Sequence, residues 1–161
     1  MAKHILHNNE DLIDFVLIGI SCAENQYLVC QLLNEALTIK LFLSDFIPFN
    51  LKEGKLFRFS LFRYLDEQLA LEYYLVPNRS NFENPLQHQN TTNDLFAGMD
   101  VEERLQLIAE LPKTDYFLIL KGEDLHNHQF KIMELLKHHP DIIQVQAIEP
   151  KELPSRRNLI F

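Results

Sequence analysis

Two cysteines and seven histidines are the residues with the widest chemical reach in this chain. A thiol can act as nucleophile, metal ligand or half of a redox pair, and an imidazole as base or ligand. Spacing removes most of these roles. Cys22 and Cys30 form no Cys-x-x-Cys pair, so neither a zinc knuckle nor a redox dithiol is expected, and both read as buried thiols of a reducing compartment. Cys22 follows a strand with Ala23 and Glu24 beside it, neighbours that do not lower a thiol pKa, and no nucleophile motif surrounds it. Ligands sharing one helix face sit three or four residues apart, whereas His126 and His128 are two apart and His138 lies three turns on. His126, His128, His138 and His139 therefore read as solvated groups at the two ends of one helix. Gly19, Gly54, Gly98 and Gly122 are the glycines, and none stands in a phosphate-cradling G-x-G or G-K-[ST] context. Gly122 joins a strand to a helix, but Glu123 and Asp124 follow it and would repel an anion, so it reads as a turn glycine before an acidic N-cap. No metal and no cofactor are expected.

The 15 basic against 23 acidic residues leave a net charge of -8, which opposes nucleic acid and anionic lipid as general partners. The 161 residues make one domain, 1–161, and 47% apolar types are enough to build its core. The start, Met1 to Asn9, holds two apolar residues in a row, where an export signal needs roughly seven. The longest apolar stretch, Phe15 to Ile20, falls well short of a membrane helix. A soluble, cytoplasmic protein is expected.

The elements that must position any site follow from hydrophobic period. Asp14 to Ile20 is a short continuous apolar run, a strand buried on both faces. Leu28, Val29, Leu32, Leu33, Ala36 and Leu37 mark a helix from Asn25, and Thr38 to Leu43 a second strand, broken by Pro48, Asn50 and Gly54. Leu56 to Tyr64 and Leu69 to Val76 form an aromatic hairpin around Leu65 to Gln68. Asn78 to Asp100 is rich in Asn and reads as an exposed loop, with a polar insertion at 81–100. Asp100 and Glu103 would cap a short helix carrying Val101, Leu105, Ile108 and Leu111, stopped by Pro112. Asp115 to Leu120 is a second buried strand and Leu125 to His138 a second helix, with Phe130, Ile132, Met133, Leu135 and Leu136 apolar. Ile142 to Ile148 closes the chain's strands, with Ile143, Val145 and Ala147 on one side. The order β-α-β, hairpin, β-α-β predicts an α+β fold: a mostly antiparallel sheet, two main helices packed on one face, related to ferredoxin-like designs.

Ile108-Ala-Glu-Leu-Pro-Lys-Thr-Asp-Tyr116 resembles the signature of the IPExxxVDY family, small uncharacterised proteins of Bacteroidetes-type bacteria. Phe15 to Ser21, Phe59 to Tyr64, Tyr74 to Ser80 and Asn158 to Phe161 resemble family segments in the same order. Ala109 stands where the signature has proline and Thr114 where it has valine; Glu110, Asp115 and Tyr116 are retained. The resemblance implies a soluble bacterial protein, and the family's name is a sequence pattern that assigns it no activity. A structural account has Pro112 halting a helix, Asp115 taking backbone donors and Tyr116 packing its ring while its hydroxyl finds an edge. The alternative is a binding site built from Glu110, Asp115 and Tyr116, with Arg79 converging on them.

With no catalytic motif, a non-enzymatic binding or protein-interaction module is the leading expectation, and an enzyme ranks last. The surfaces it would use are the Leu56 to Val76 hairpin and the terminal Leu159-Ile160-Phe161. A small-molecule sensor with its ligand between helix ends and strands is the alternative. A homo-oligomer is open.

Overall fold

Alternation along three central strands divides the interior of the protein in two. In a computed structural model of the chain, which describes residues 13–50, 56–82 and 104–161, β1 (Phe15–Ser21), β4 (Leu71–Pro77) and β6 (Tyr116–Gly122) lie inside an antiparallel sheet. Val16, Ile18 and Ile20 of β1 face one way with Leu71, Tyr73 and Leu75 of β4 and Tyr116, Leu118 and Leu120 of β6. Phe15, Leu17, Val76, Phe117 and Ile119 face the other. Both faces are covered, which is why β1 and β6 read as unbroken apolar runs.

The chain runs β1, α1 (Gln26–Leu37), β2 (Phe42–Asn50), β3 (Leu56–Asp66), β4, β5 (Asn81–Phe82), β6, α2 (Leu125–Lys137) and β7 (Gln144–Ile148). The sheet order is β2-β3-β4-β6-β1-β7, with β5 pairing on β3, and every pairing is antiparallel. The expected α+β class and its two helices on one face are as found, both helices contributing to a single core. The sheet is longer than a four-stranded split β-α-β design, because β2 and β3 extend it beyond β4.

On the helix face, α1 buries Val29, Cys30, Leu32 and Leu33, and α2 buries Ile132 and Leu136. Asn25 caps α1, its Oδ1 accepting from the N–H groups of Tyr27 (3.0 Å) and Leu28 (3.1 Å). Thr38 ends α1 in the left-handed region at φ 55°. Asn34 then ties the helix to the next strand, accepting from Leu41 N–H at 2.7 Å and donating to its carbonyl at 3.0 Å. Among the described residues the opposite face is covered without an α-helix. Leu107, Ile108, Leu153 and Leu159 pack there from two irregular segments, the second wound into 3₁₀ turns at Pro150–Glu152 and Arg156–Leu159. Asn158 Nδ2 donates to Leu107 O at 2.8 Å and joins the two.

Several expectations need correction. β2 begins at Phe42 and runs through Pro48 to Asn50. Proline did not break it because β2 is an edge, paired among the described residues with β3 alone, where a missing donor costs no ladder bond. The hairpin turn sits at 67–70, two residues later than expected. Asp100 and Glu103 lie outside the described residues, but 105–111 is bends and turns rather than helix. Leu107 and Ile108 are both fully buried, and their peptide N–H groups bond to Asn78 rather than within a helix. On α2, Phe130 and Leu135 are exposed, and Asp124 makes no side-chain cap, accepting instead from Asn127 Nδ2 at 2.9 Å. Ile143 stands exposed before β7, and Ile142 packs in its place. Of the 81–100 insertion, Asn81 and Phe82 form β5 and the rest lies outside the described residues.

Candidate functional site

The ends of three strands and the start of a helix meet at one corner of the sheet. Asp115, just before β6, donates its N–H to Ile20 O (3.0 Å) and accepts Asn78 N–H on its carbonyl (2.8 Å), drawing β1, β4 and β6 together. Its carboxylate Oδ2 accepts the N–H of Cys22 at 3.0 Å, holding the turn that leads from β1 into α1. Tyr116, next in the chain, sends its hydroxyl across the same turn and donates to Glu24 O at 2.5 Å. The sequence expectation for this pair, a carboxylate taking a backbone donor and a tyrosine hydroxyl finding an edge, is what the geometry holds.

Behind them lies a buried polar hub. Asn78 is fully buried. Its Oδ1 accepts from Ile108 N–H at 2.8 Å, and its Nδ2 serves the carbonyls of Thr114 (2.9 Å), Leu111 (3.0 Å) and Ile108 (3.4 Å). Its backbone carbonyl takes Leu107 N–H at 2.8 Å, and Ser80 serves Leu105 with both its N–H and its hydroxyl oxygen. These bonds replace the helix expected over this stretch, because they satisfy the peptide groups that a helix would have paired internally.

In front of the strand ends is a cleft of about 460 Å³. The β1–α1 turn and the start of α1 supply Cys22 to Tyr27; the end of β4 and its continuation supply Pro77, Arg79, Ser80 and Asn81; Arg104, Asp115 and Tyr116 complete it. Arg79, Asp115 and Tyr116 thus come together as the sequence suggested. Glu110 does not. It lies on the same covering segment as Leu107 and Ile108, and its carboxylate reaches the other one, accepting from Ser155 N–H (2.7 Å) and Ser155 Oγ (2.9 Å). Desolvation alone would raise its pKa, but these bonds and its own N–H outweigh that and hold the carboxyl below the usual range. Glu110 fixes the C-terminal segment and is not a wall of the cleft.

Compared with known protein families, curated proteins and solved structures, the chain matches none. The chemistry of the cleft is therefore read from its own groups. Burial lifts the Tyr116 hydroxyl to about 12, helped by the nearby Cys22, Asp115 and Glu24 and opposed by Arg79. Burial first, then the carboxylates of Glu24, Asp141 and Asp115, raise the Cys22 thiol, although a backbone hydrogen bond at Glu24 works the other way. That thiol donates to Asp141 O at 3.2 Å. Cys22 and Cys30 are both buried, as expected. Neither Tyr116 nor Cys22 is tuned toward proton transfer or nucleophilic attack at neutral pH.

A second cavity, about 740 Å³, opens at the far end of the sheet among Asp14, Asp124, His126, Gln129, Glu149 and Lys151. It is larger, and three of these side chains are engaged within the chain. Gln129 Nε2 donates to Leu17 O, Glu149 accepts from Lys151 N–H, and Asp124 holds Asn127. Among the described residues no group of three His, Cys, Asp or Glu side chains could hold a metal ion. Among those residues, too, no helix is long and apolar enough to cross a membrane.

The raised Tyr116 gives a pH prediction. A group whose pKa is higher in the folded state than its ordinary 10.0 stabilises the fold fully below pH 10, and that contribution is lost as pH climbs through about 12. Urea unfolding at pH 9, 10 and 11 is expected to show falling stability. Tyr116→Phe should flatten that slope and cost about 1 kcal/mol at pH 7, the worth of its bond to Glu24. A variant as stable as the parent at pH 7 and equally alkali-labile would contradict this assignment.

The residues that sequence reasoning missed are Asn78, Glu24 and Arg104. Asn78 sits in Pro77-Asn-Arg-Ser80, where asparagine ordinarily signals an exposed turn. Only the three-dimensional neighbourhood reveals that it is internal.

Proposed function

We propose that the protein is a non-enzymatic binding module, and that it captures a small molecule in the cleft where the β1–α1 turn meets the ends of β4 and β6. One observation carries this reading: a roughly 460 Å³ cleft whose walls come from distant segments and whose floor is clamped by Asp115 and Tyr116. Its volume suits a metabolite-sized ligand. The clamped strand ends supply a rigid frame, and exposed side chains at the rim are left to meet a ligand. Tyr116 and Cys22, with pKa values pushed up and away from neutral pH, argue for binding rather than turnover.

Of the two surfaces suggested for a protein partner, the hairpin spends Phe57, Phe59 and Phe62 in the core, and the terminus buries Leu159 and packs Phe161 against Tyr74 at 5.7 Å. Those aromatics serve the fold first, which favours the cleft. A protein partner keeps one observation in its favour, the exposed Phe42 and Phe46 on the edge strand β2. The resemblance to the IPExxxVDY family and a cytoplasmic location belong to the same proposal, and neither alters the chemistry of the cleft.

The test is a thermal-shift screen against organic acids, amines, sugars, nucleotides and amino acids. A ligand present at a hundred times its Kd adds about 2.7 kcal/mol, which in a chain of this size raises Tm by about 5 °C or more. The rise is expected in the parent and absent in Ala23→Trp, which places an indole in the cleft from an exposed position. A broad library without a single hit, or hits indifferent to Ala23→Trp, would defeat the proposal.

A further inference from the structure

The junction cleft carries both signs of charge. Arg79 and Arg104 line it with Glu24 and Asp115, two cations against two anions. Glu24 and Arg79 are both exposed, and among the described residues neither makes an ion pair. Two opposite charges that share a cavity ordinarily close on each other when they can reach. Here they stay apart, and the space between belongs to the cleft.

The acceptors cluster on one side of that division. Tyr116 spends its proton on Glu24 O, so its oxygen presents lone pairs, and Asp115 uses Oδ2 for Cys22 N–H, which leaves Oδ1 as an acceptor. With the Glu24 carboxylate these make a place for a donor-rich cation. The N-terminus of α1 does not compete as an anion site, because Asn25 already takes the N–H groups of Tyr27 and Leu28. The anion-seeking group in the cleft is Arg79. A simple anion would meet the carboxylates of Glu24 and Asp115 and a simple cation the Arg79 guanidinium, and either would find part of the site repulsive.

Building on the binding reading above, we infer that the cleft takes a small zwitterion of the α-amino acid kind, its carboxylate on Arg79 and its ammonium toward Glu24 and the Tyr116 oxygen. Arginine suits the carboxylate because its planar fork can grip both oxygens. Three acceptors suit an ammonium, which has three donors and no acceptor.

The experiment is calorimetric titration of the full chain with the twenty free L-amino acids, followed by the N-acetyl and the C-terminal amide forms of any that bind. Blocking either end is expected to weaken binding at least about tenfold, the loss of one charge-assisted contact. Arg79→Gln should weaken the free amino acid by a similar factor and lose its discrimination against the amide. Glu24→Gln should likewise lose discrimination against the N-acetyl form. Both positions are exposed, so the unliganded variants should melt with the parent. An N-acetyl or amide probe that binds as tightly as the free amino acid overturns the zwitterion inference and leaves the cleft as a site for a singly charged ligand. The inference also falls alone when free amino acids fail but another compound of the broad screen binds the cleft. If no compound binds at all, the binding reading falls with it.

Discussion

Asn78→Ala is expected to lower stability by about 4 kcal/mol, because it strips partners from several buried peptide groups at once and each costs roughly 1–3 kcal/mol to leave unmet. The amide at Asn78 serves Ile108 N–H and the carbonyls of Ile108, Leu111 and Thr114 from a fully buried position. Water cannot replace it without opening the face that Leu107 and Ile108 seal. Thermal denaturation should show Tm falling by about 10 °C. Asn78→Asp separates hydrogen bonding from shape. It keeps the volume and the acceptor toward Ile108 N–H but turns a second oxygen toward carbonyls, so it should do at least as much damage as alanine. If alanine cost under about 1 kcal/mol, or aspartate were well tolerated, Asn78 would not be the hub that its bonds describe.

The second large effect lies at Gly122, where β6 ends with φ at 144°, a conformation essentially reserved for glycine. A Cβ there would stand 2.4 Å from the Ala70 carbonyl oxygen and 3.2 Å from Leu71 Cα. Both are backbone atoms where β4 begins, and Leu71 is the strand partner of Gly122. Neither can retreat without opening the pairing. Gly122→Ala is therefore expected to cost about 3 kcal/mol in urea unfolding. Gly19 is the control. Its Cβ would meet Ile148 Cδ1 at 2.7 Å, Thr114 Cγ2 at 3.1 Å and Gln146 Cγ at 3.3 Å, side-chain atoms that can turn aside, so Gly19→Ala should cost about 1 kcal/mol. Equal losses at the two glycines would show that backbone strain is not what sets Gly122 apart.

The parts of the fold legible in the sequence are those whose signal survives any surroundings. β1 and β6 show as continuous apolar runs because both of their faces are covered, and α1 shows its helical period because only one face is. The missed features depend on neighbours. Pro48 looked like a breaker, and whether it breaks a strand is decided by whether a partner lies on its donor side. Leu105, Ile108 and Leu111 keep a three-residue spacing that mimics a helix, yet their segment is pinned by Asn78, some thirty positions earlier. Phe130 and Leu135 count toward an apolar face by composition, but the sheet does not reach them.

The candidate site divides in the same way. Asp115 and Tyr116 could be nominated because they are adjacent, and Arg79 because it follows a strand end. Glu110 shares their signature but faces Ser155, since a signature records nearness in sequence and not a common wall. Glu24 and Arg104 reach the cleft only through sheet pairing, which composition does not encode.

The edge strand β2 bears on how this protein behaves when crowded. Among the described residues β2 is a nine-residue edge carrying exposed Phe42 and Phe46, a template on which a foreign strand could grow the sheet, the first step toward fibrils. Three features of the same strand interrupt that template. The register shifts between Leu43 and Asp45, Asp45 puts a charge at the bulge, and Pro48 removes a donor. The aromatic run of this strand thus carries its own protection against templated growth, a safeguard needed in concentrated solution and during slow assembly of a sheet whose neighbours come from distant parts of the chain.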